Sequence, residues 1–103
     1  MSGISQGSKF SDTNSDLYLS GAQTVTTSEV EAKVGSSAAS GRQFVSIFNN
    51  GSSEIYFGPS GVTTSTGEPL YKKQRVVIPA TEDIQVFMIC DSGTVDVIIQ
   101  ELG

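Results

Sequence analysis

With 103 residues the chain has room for one domain, and a domain of this size buries only about 60–70% of the surface that its unfolded chain exposes. Sixteen Ser, nine Thr and eleven Gly, with ten Val and eight Ile against four Leu and five Ala, favour β-structure, because branched side chains suit a pleated surface. The net charge of −5 argues against an electrostatic grip on nucleic acid, and the lack of histidine excludes a Ser-His-Asp triad, an imidazole metal ligand and a near-neutral proton switch.

Residues 1–16 carry only Met1, Ile4 and Phe10 as apolar points. So few cannot offset the entropy of ordering the stretch, which reads as a polar N-terminal arm that gains order against a neighbouring subunit or its own domain. Residues 17–103 read as the folded unit. Leu17 and Leu19 alternate with Asp16, Tyr18 and Ser20, the pattern of a short strand ended by Gly21. Two patterns then compete. Ser28-Glu29-Val30-Glu31 fits a capping box with Val30 and Val34 on one helical face, yet Val30, Ala32 and Val34 also alternate strictly with Glu29, Glu31 and Lys33. A helix closed by Gly35 would span barely two turns, too short to hold, so a strand is expected. Ser36 to Gly41 is a small, polar loop.

Phe44-Val45-Ser46-Ile47-Phe48 reads as a strand. Asn49-Asn50-Gly51 has the chemistry of a type I′ hairpin turn, and Ile55-Tyr56-Phe57 is then the returning strand. Gly58-Pro59-Ser60-Gly61 breaks it, and a Ser/Thr loop runs to Gly67. Pro69 precedes a short Leu70-Tyr71 segment and a turn at Lys72-Lys73-Gln74-Arg75. Val76-Val77-Ile78 stops at Pro79, which cannot donate to a ladder. Ile84 to Cys90 reads as the longest apolar strand, and Asp91-Ser92-Gly93 turns it into a strand from Thr94 to Gln100. There Val95, Val97 and Ile99 point one way and Thr94, Asp96 and Gln100 the other, with Ile98 as the exception. Seven or eight short strands with this punctuation predict an all-β fold, a single antiparallel β-sandwich or jelly-roll-like barrel.

Two segments are apolar on both faces. Ile84, Val86, Met88 and Cys90 oppose Phe87 and Ile89, while Phe44 and Phe48 oppose Val45 and Ile47. A second apolar face must be covered, by the two sheets or a folded-over loop within one subunit, or by a subunit interface. The candidate interface residues are Ile4, Phe10, Leu17, Tyr18, Phe44, Phe48, Phe87 and Ile89.

The motifs that carry chemistry fail one by one. Asp12-Thr13-Asn14-Ser15-Asp16 begins like a calcium loop, but Leu17 stands where a glycine turn is needed and Gln23 where a bidentate acid is needed. The glycines at 58, 61 and 67 lack the Gly-Lys-Ser/Thr of a phosphate loop. Lys72, Lys73 and Arg75 read as a solvated hairpin tip, and Ser92 has no base to activate it. Asn50-Gly51-Ser52 matches a glycosylation sequon but reads better as a turn. The single Cys90 excludes an internal disulfide and a multi-cysteine zinc site, and reads as a small buried hydrophobe. Glu82-Asp83 and Glu29/Glu31 sit in no identifiable cleft. The reading is a protein without enzymatic activity, cofactor or metal. No signal-peptide pattern opens the chain, and its apolar runs are too short for a membrane span.

Four stretches resemble small virion proteins of tailed double-stranded DNA phages: Val-Glu-Ala-Lys-Val-Gly (30–35), Gly-Arg-Gln-Phe-Val-Ser-Ile-Phe-Asn-Asn-Gly-Ser (41–52), Ile-Tyr-Phe-Gly-Pro-Ser-Gly-Val-Thr-Thr-Ser-Thr-Gly-Glu-Pro-Leu (55–70) and Ser-Gly-Thr-Val-Asp-Val (92–97). The likeness covers about two-thirds of the chain, leaves the first 28 residues without a counterpart and brings no catalytic residues. It implies a β-sandwich located in the virion, as a capsid cement or decoration subunit, with the major capsid protein or another virion structural protein as partner and homo-oligomers expected. A head–tail joining or tail-fibre-associated subunit and a receptor- or glycan-binding module are the alternatives. The scarcity of aromatic residues counts against the last, and an unrelated intracellular peptide-binding β-domain rests on composition alone. In this reading the arm is a strap anchored by Ile4 and Phe10. Deleting residues 2–16 is then expected to leave the fold intact and weaken attachment.

Overall fold

Alternating branched residues extend the chain into eight strands, and no helix occurs among the described residues, which in this computed structural model are 17–103. The arm of residues 1–16, with Ile4, Phe10 and the Asp12–Asp16 stretch, lies outside the described residues. The strands are β1 (Tyr18–Val25), β2 (Val30–Glu31), β3 (Phe44–Asn49), β4 (Ile55–Gly58), β5 (Glu68–Leu70), β6 (Arg75–Pro79), β7 (Phe87–Ile89) and β8 (Val95–Leu102). Two four-stranded sheets, ordered β1-β8-β3-β6 and β2-β7-β4-β5, pack face to face with every pairing antiparallel. The pairs β1–β8, β2–β7, β3–β6 and β4–β5 are those of one long hairpin, folded at the β4–β5 turn and wound so that successive pairs fall in alternate sheets. That winding is a jelly roll, and the sandwich expected from the strand pattern is present.

The core follows the strand parity. Val95, Val97 and Ile99 of β8 are buried against Val25, Val45, Ile47, Ile55 and Met88. Each such side chain contributes about 1.5–3 kcal/mol relative to exposure. Cys90 is buried as expected, its Sγ 3.5–3.6 Å from the carbonyls of Val25, Ser92 and Gly93, and burial pushes the thiol's pKa up.

Four local expectations are corrected. Gly21 does not end the first strand. β1 runs through it, because a side chain there would place Cβ 3.1 Å from Val34 Cγ1, and the glycine makes room for Val34. Asn49-Asn50-Gly51 does not form a hairpin, since β3 and β4 lie in different sheets. The positive φ angles fall instead at Gly41, Gly61, Lys73 and Gly93. Asn49 is buried at the end of β3 and holds the crossover together. Its Oδ1 accepts from Gly51 N–H, and its Nδ2 donates to the Ser53 and Leu70 carbonyls, all at 2.9 Å. The apolar run from Ile84 to Cys90 contributes only the three-residue β7, because a turn in which Ile84 N–H donates to Thr81 C=O leaves Ile84 exposed. Among the described residues the longest strands are β1 and β8, eight residues each. Pro69 lies within β5 rather than before it, as an edge strand tolerates.

At one end of the sandwich a buried ion pair ties β8 to the chain entering β3. Arg42, just before β3, meets Glu101 of β8 at 2.7 Å, and neither side chain is exposed to solvent. Arg42 also donates to the carbonyls of Ala32, Ala80, Thr81 and Ile84, and Glu101 accepts from the N–H groups of Val34 and Ala39. Burial alone would raise the Glu101 pKa, but the Ala39 and Val34 N–H groups and the Arg42 guanidinium outweigh it and hold the carboxyl below its ordinary range.

Candidate interaction surface

The register of the first sheet places its outward side chains in rows. Tyr18, Leu102, Phe44 and Pro79 form one row across β1, β8, β3 and β6. Ser20, Gln100, Ser46 and Val77 form the next, and Ala22, Ile98, Phe48 and Arg75 the third. Nothing among the described residues lies over this face, which leaves Tyr18 65%, Val77 53% and Phe44 41% exposed. Polar groups on it are largely satisfied within the face. Gln100 Nε2 donates to Tyr18 Oη at 3.2 Å and Ser20 Oγ at 3.4 Å. Arg75 folds over Phe48, 5.2 Å from the ring centroid, and donates to Ser46 Oγ at 2.6 Å, so Phe48 is half-buried. The result is a flat apolar patch with a hydrogen-bonded polar seam.

The candidate residues do not form one surface. Tyr18, Phe44 and Phe48 share this face. Leu17 lies at its margin, half-buried, its carbonyl accepting from Gly103 N–H at 3.0 Å. Phe87 and Ile89 are half-buried on the outer face of the other sheet, where Phe87 is flanked by Glu31 and Gly58 and Ile89 by Tyr56. Val77, Ile98 and Leu102 complete the patch and were absent from the expected set. Only Ile98 had a signal, as the residue that breaks the alternation of the last strand.

The acidic candidates are loop tethers. Glu29 accepts from Gly61 N–H and Glu82 from Gly41 N–H, both at 2.8 Å, while Glu31 pairs with Lys33 at 3.5 Å. Lys73 reaches Asn50 Oδ1 at 3.2 Å, and Lys72 is exposed. No group of three or more Cys, Asp or Glu able to hold a metal occurs among the described residues. A cleft of about 410 Å³ between the β4–β5 layer and β6 is lined by Phe57, Pro59, Ile78, Ile84 and Val86, with Glu68 as its acid. No protein-family model, curated protein or solved structure matches the chain.

Proposed function

We propose that this protein is a non-enzymatic structural subunit of a tailed-phage virion, of the capsid cement or decoration type, which binds across junctions between subunits of the major capsid protein. The observation that carries the reading is the apolar face of the first sheet, which no described residue covers, with Tyr18, Phe44, Val77, Ile98 and Leu102 arrayed on its strands. The jelly roll by itself does not choose, since capsid, lectin and cupin domains share it. The resemblance of residues 30–97 to small phage virion proteins supplies the class of partner. A domain of this kind needs no chemistry to act. Each copy adds buried area at one junction, and symmetry multiplies the contact over the shell.

The test is quantitative mass spectrometry and electron cryomicroscopy of the virions, with F44E/V77E particles compared for resistance to heat. A copy number matching the capsid lattice, with loss of the variant from particles and earlier rupture, supports the proposal. One ring of copies at the head–tail junction replaces it with the joining role, and absence from the particle overturns it.

A further inference from the structure

A sheet edge is a row of unpaired backbone donors and acceptors, and proteins that stay monomeric blunt such edges with proline, charge or brevity. Three of the four edges here are blunted. β6 carries Arg75 and Pro79, β5 carries Glu68 and Pro69, and β2 is two residues long. The fourth, β1, reads Tyr-Leu-Ser-Gly-Ala-Gln-Thr-Val, eight residues without a charge or a proline. No backbone group among the described residues pairs with its outer side.

Parity fixes what that side offers. Gly103 N–H donates to Leu17 C=O, and the register pairs Tyr18 with Leu102, so the odd-numbered residues of β1 bond β8. The N–H and C=O groups of Tyr18, Ser20, Ala22 and Thr24 therefore point away from the sheet.

We propose that β1 pairs antiparallel with β1 of a second copy, joining the two first sheets into one continuous sheet across a two-fold axis at Gly21. Bonding parity requires even residues opposite even residues. Setting Tyr18 against Thr24 and Ser20 against Ala22 satisfies all four, and it brings Gly21 against Gly21 at the non-hydrogen-bonded position, where strands approach most closely. The Ser20-Gly21-Ala22 centre presents only small side chains on both sides of the axis, so the strand fits itself. Each copy carries a net charge of −5, and this uncharged edge is where two copies meet without opposing carboxylates. The pairing also sets the two apolar outer faces side by side. It stands whether or not those faces meet a capsid.

Sedimentation of the full chain over a range of concentrations, with residue-resolved amide exchange, tests the pairing. A dimer is expected, in which protection of the Ser20, Ala22 and Thr24 amides rises with concentration while Gly21 and Gln23 stay protected throughout. Ala22→Pro deletes an outward donor, twice per dimer, without touching the β8 ladder. It is expected to weaken association about tenfold or more at unchanged circular dichroism. S20K/A22K, which lines the seam with like charges, is expected to do the same by a route that needs no proline, whereas Val77→Pro on the opposite edge leaves the dimer intact. A monomer at every concentration, a dimer indifferent to both β1 variants, or even-residue protection that does not change with concentration, which places the cover within the chain, overturns the proposal.

Discussion

Arg42 and Glu101 form the one fully buried ion pair among the described residues. Removing one partner of a buried ion pair leaves the other charge without compensation, a loss of about 3–5 kcal/mol. Arg42→Met, which also orphans carbonyls of four other residues, is expected to lose that much in urea unfolding. The pair also ties stability to pH. The folded carboxyl titrates below the ordinary glutamate value of about 4.3, so its contribution is complete above that value and drains away as pH falls through the lowered one. The urea midpoint should therefore decline on acidification below about pH 4.3, and Glu101→Gln, already weakened, should show a shallower decline. Cys90, buried and with its thiol pKa raised, should resist alkylation at pH 8 until the protein is unfolded, as intact mass can report. The pair had a signal in the sequence. The inward parity of Val95, Val97 and Ile99 reaches Glu101 two residues on, and a carboxylate on the core side demands a partner, although nothing local names Arg42.

At the scale of strands and turns, close packing makes particular glycines indispensable. A Cβ on Gly67 would lie 2.8 Å from both Tyr56 Cβ and Val62 Cγ2, and 3.1 Å from the Thr63 carbonyl. Val62 is a buried residue of the β4–β5 loop itself, so Gly67→Ala is expected to cost about 1–3 kcal/mol in thermal or urea unfolding. Strand identity was legible where branched and aromatic residues ran together between turn signals, as in β3, or alternated with polar ones at all but one position, as in β8. It failed where a local signal met a long-range constraint. Asn-Gly is the strongest short-range hairpin cue, yet Asn49 spends its amide on the Ser53 and Leu70 carbonyls and sends the chain to the other sheet. Gly21 looked like a terminator because its neighbour Val34 comes from thirteen residues further along the chain. Tyr18, Phe44 and Phe48 could be picked as surface aromatics from their own strands. That they share a face while Phe87 and Ile89 lie on the opposite one depends on strand order, which alternation does not encode.

For the molecule as a whole, the outer face and the core are separable. Phe44→Ser and Val77→Ser truncate side chains that are only about half buried and are expected to cost about 1 kcal/mol each, less than a core truncation, while reducing binding of an apolar dye to the native protein. The winding has a kinetic counterpart. β1 pairs with β8, so the first described strand gains its neighbour only when the last is in place, and folding should be slow, in the range of milliseconds to seconds. Stopped-flow refolding would measure it. The same pairing leaves Leu17 and Gly103 hydrogen-bonded side by side. A short linker could therefore close residues 17–103 into a ring and new termini be opened between the exposed Ser36 and Ser37, upstream of the Ala39 and Gly41 tethers, giving a circular permutant with the same sheets. Any cargo fused after Gly103 would emerge beside Leu17.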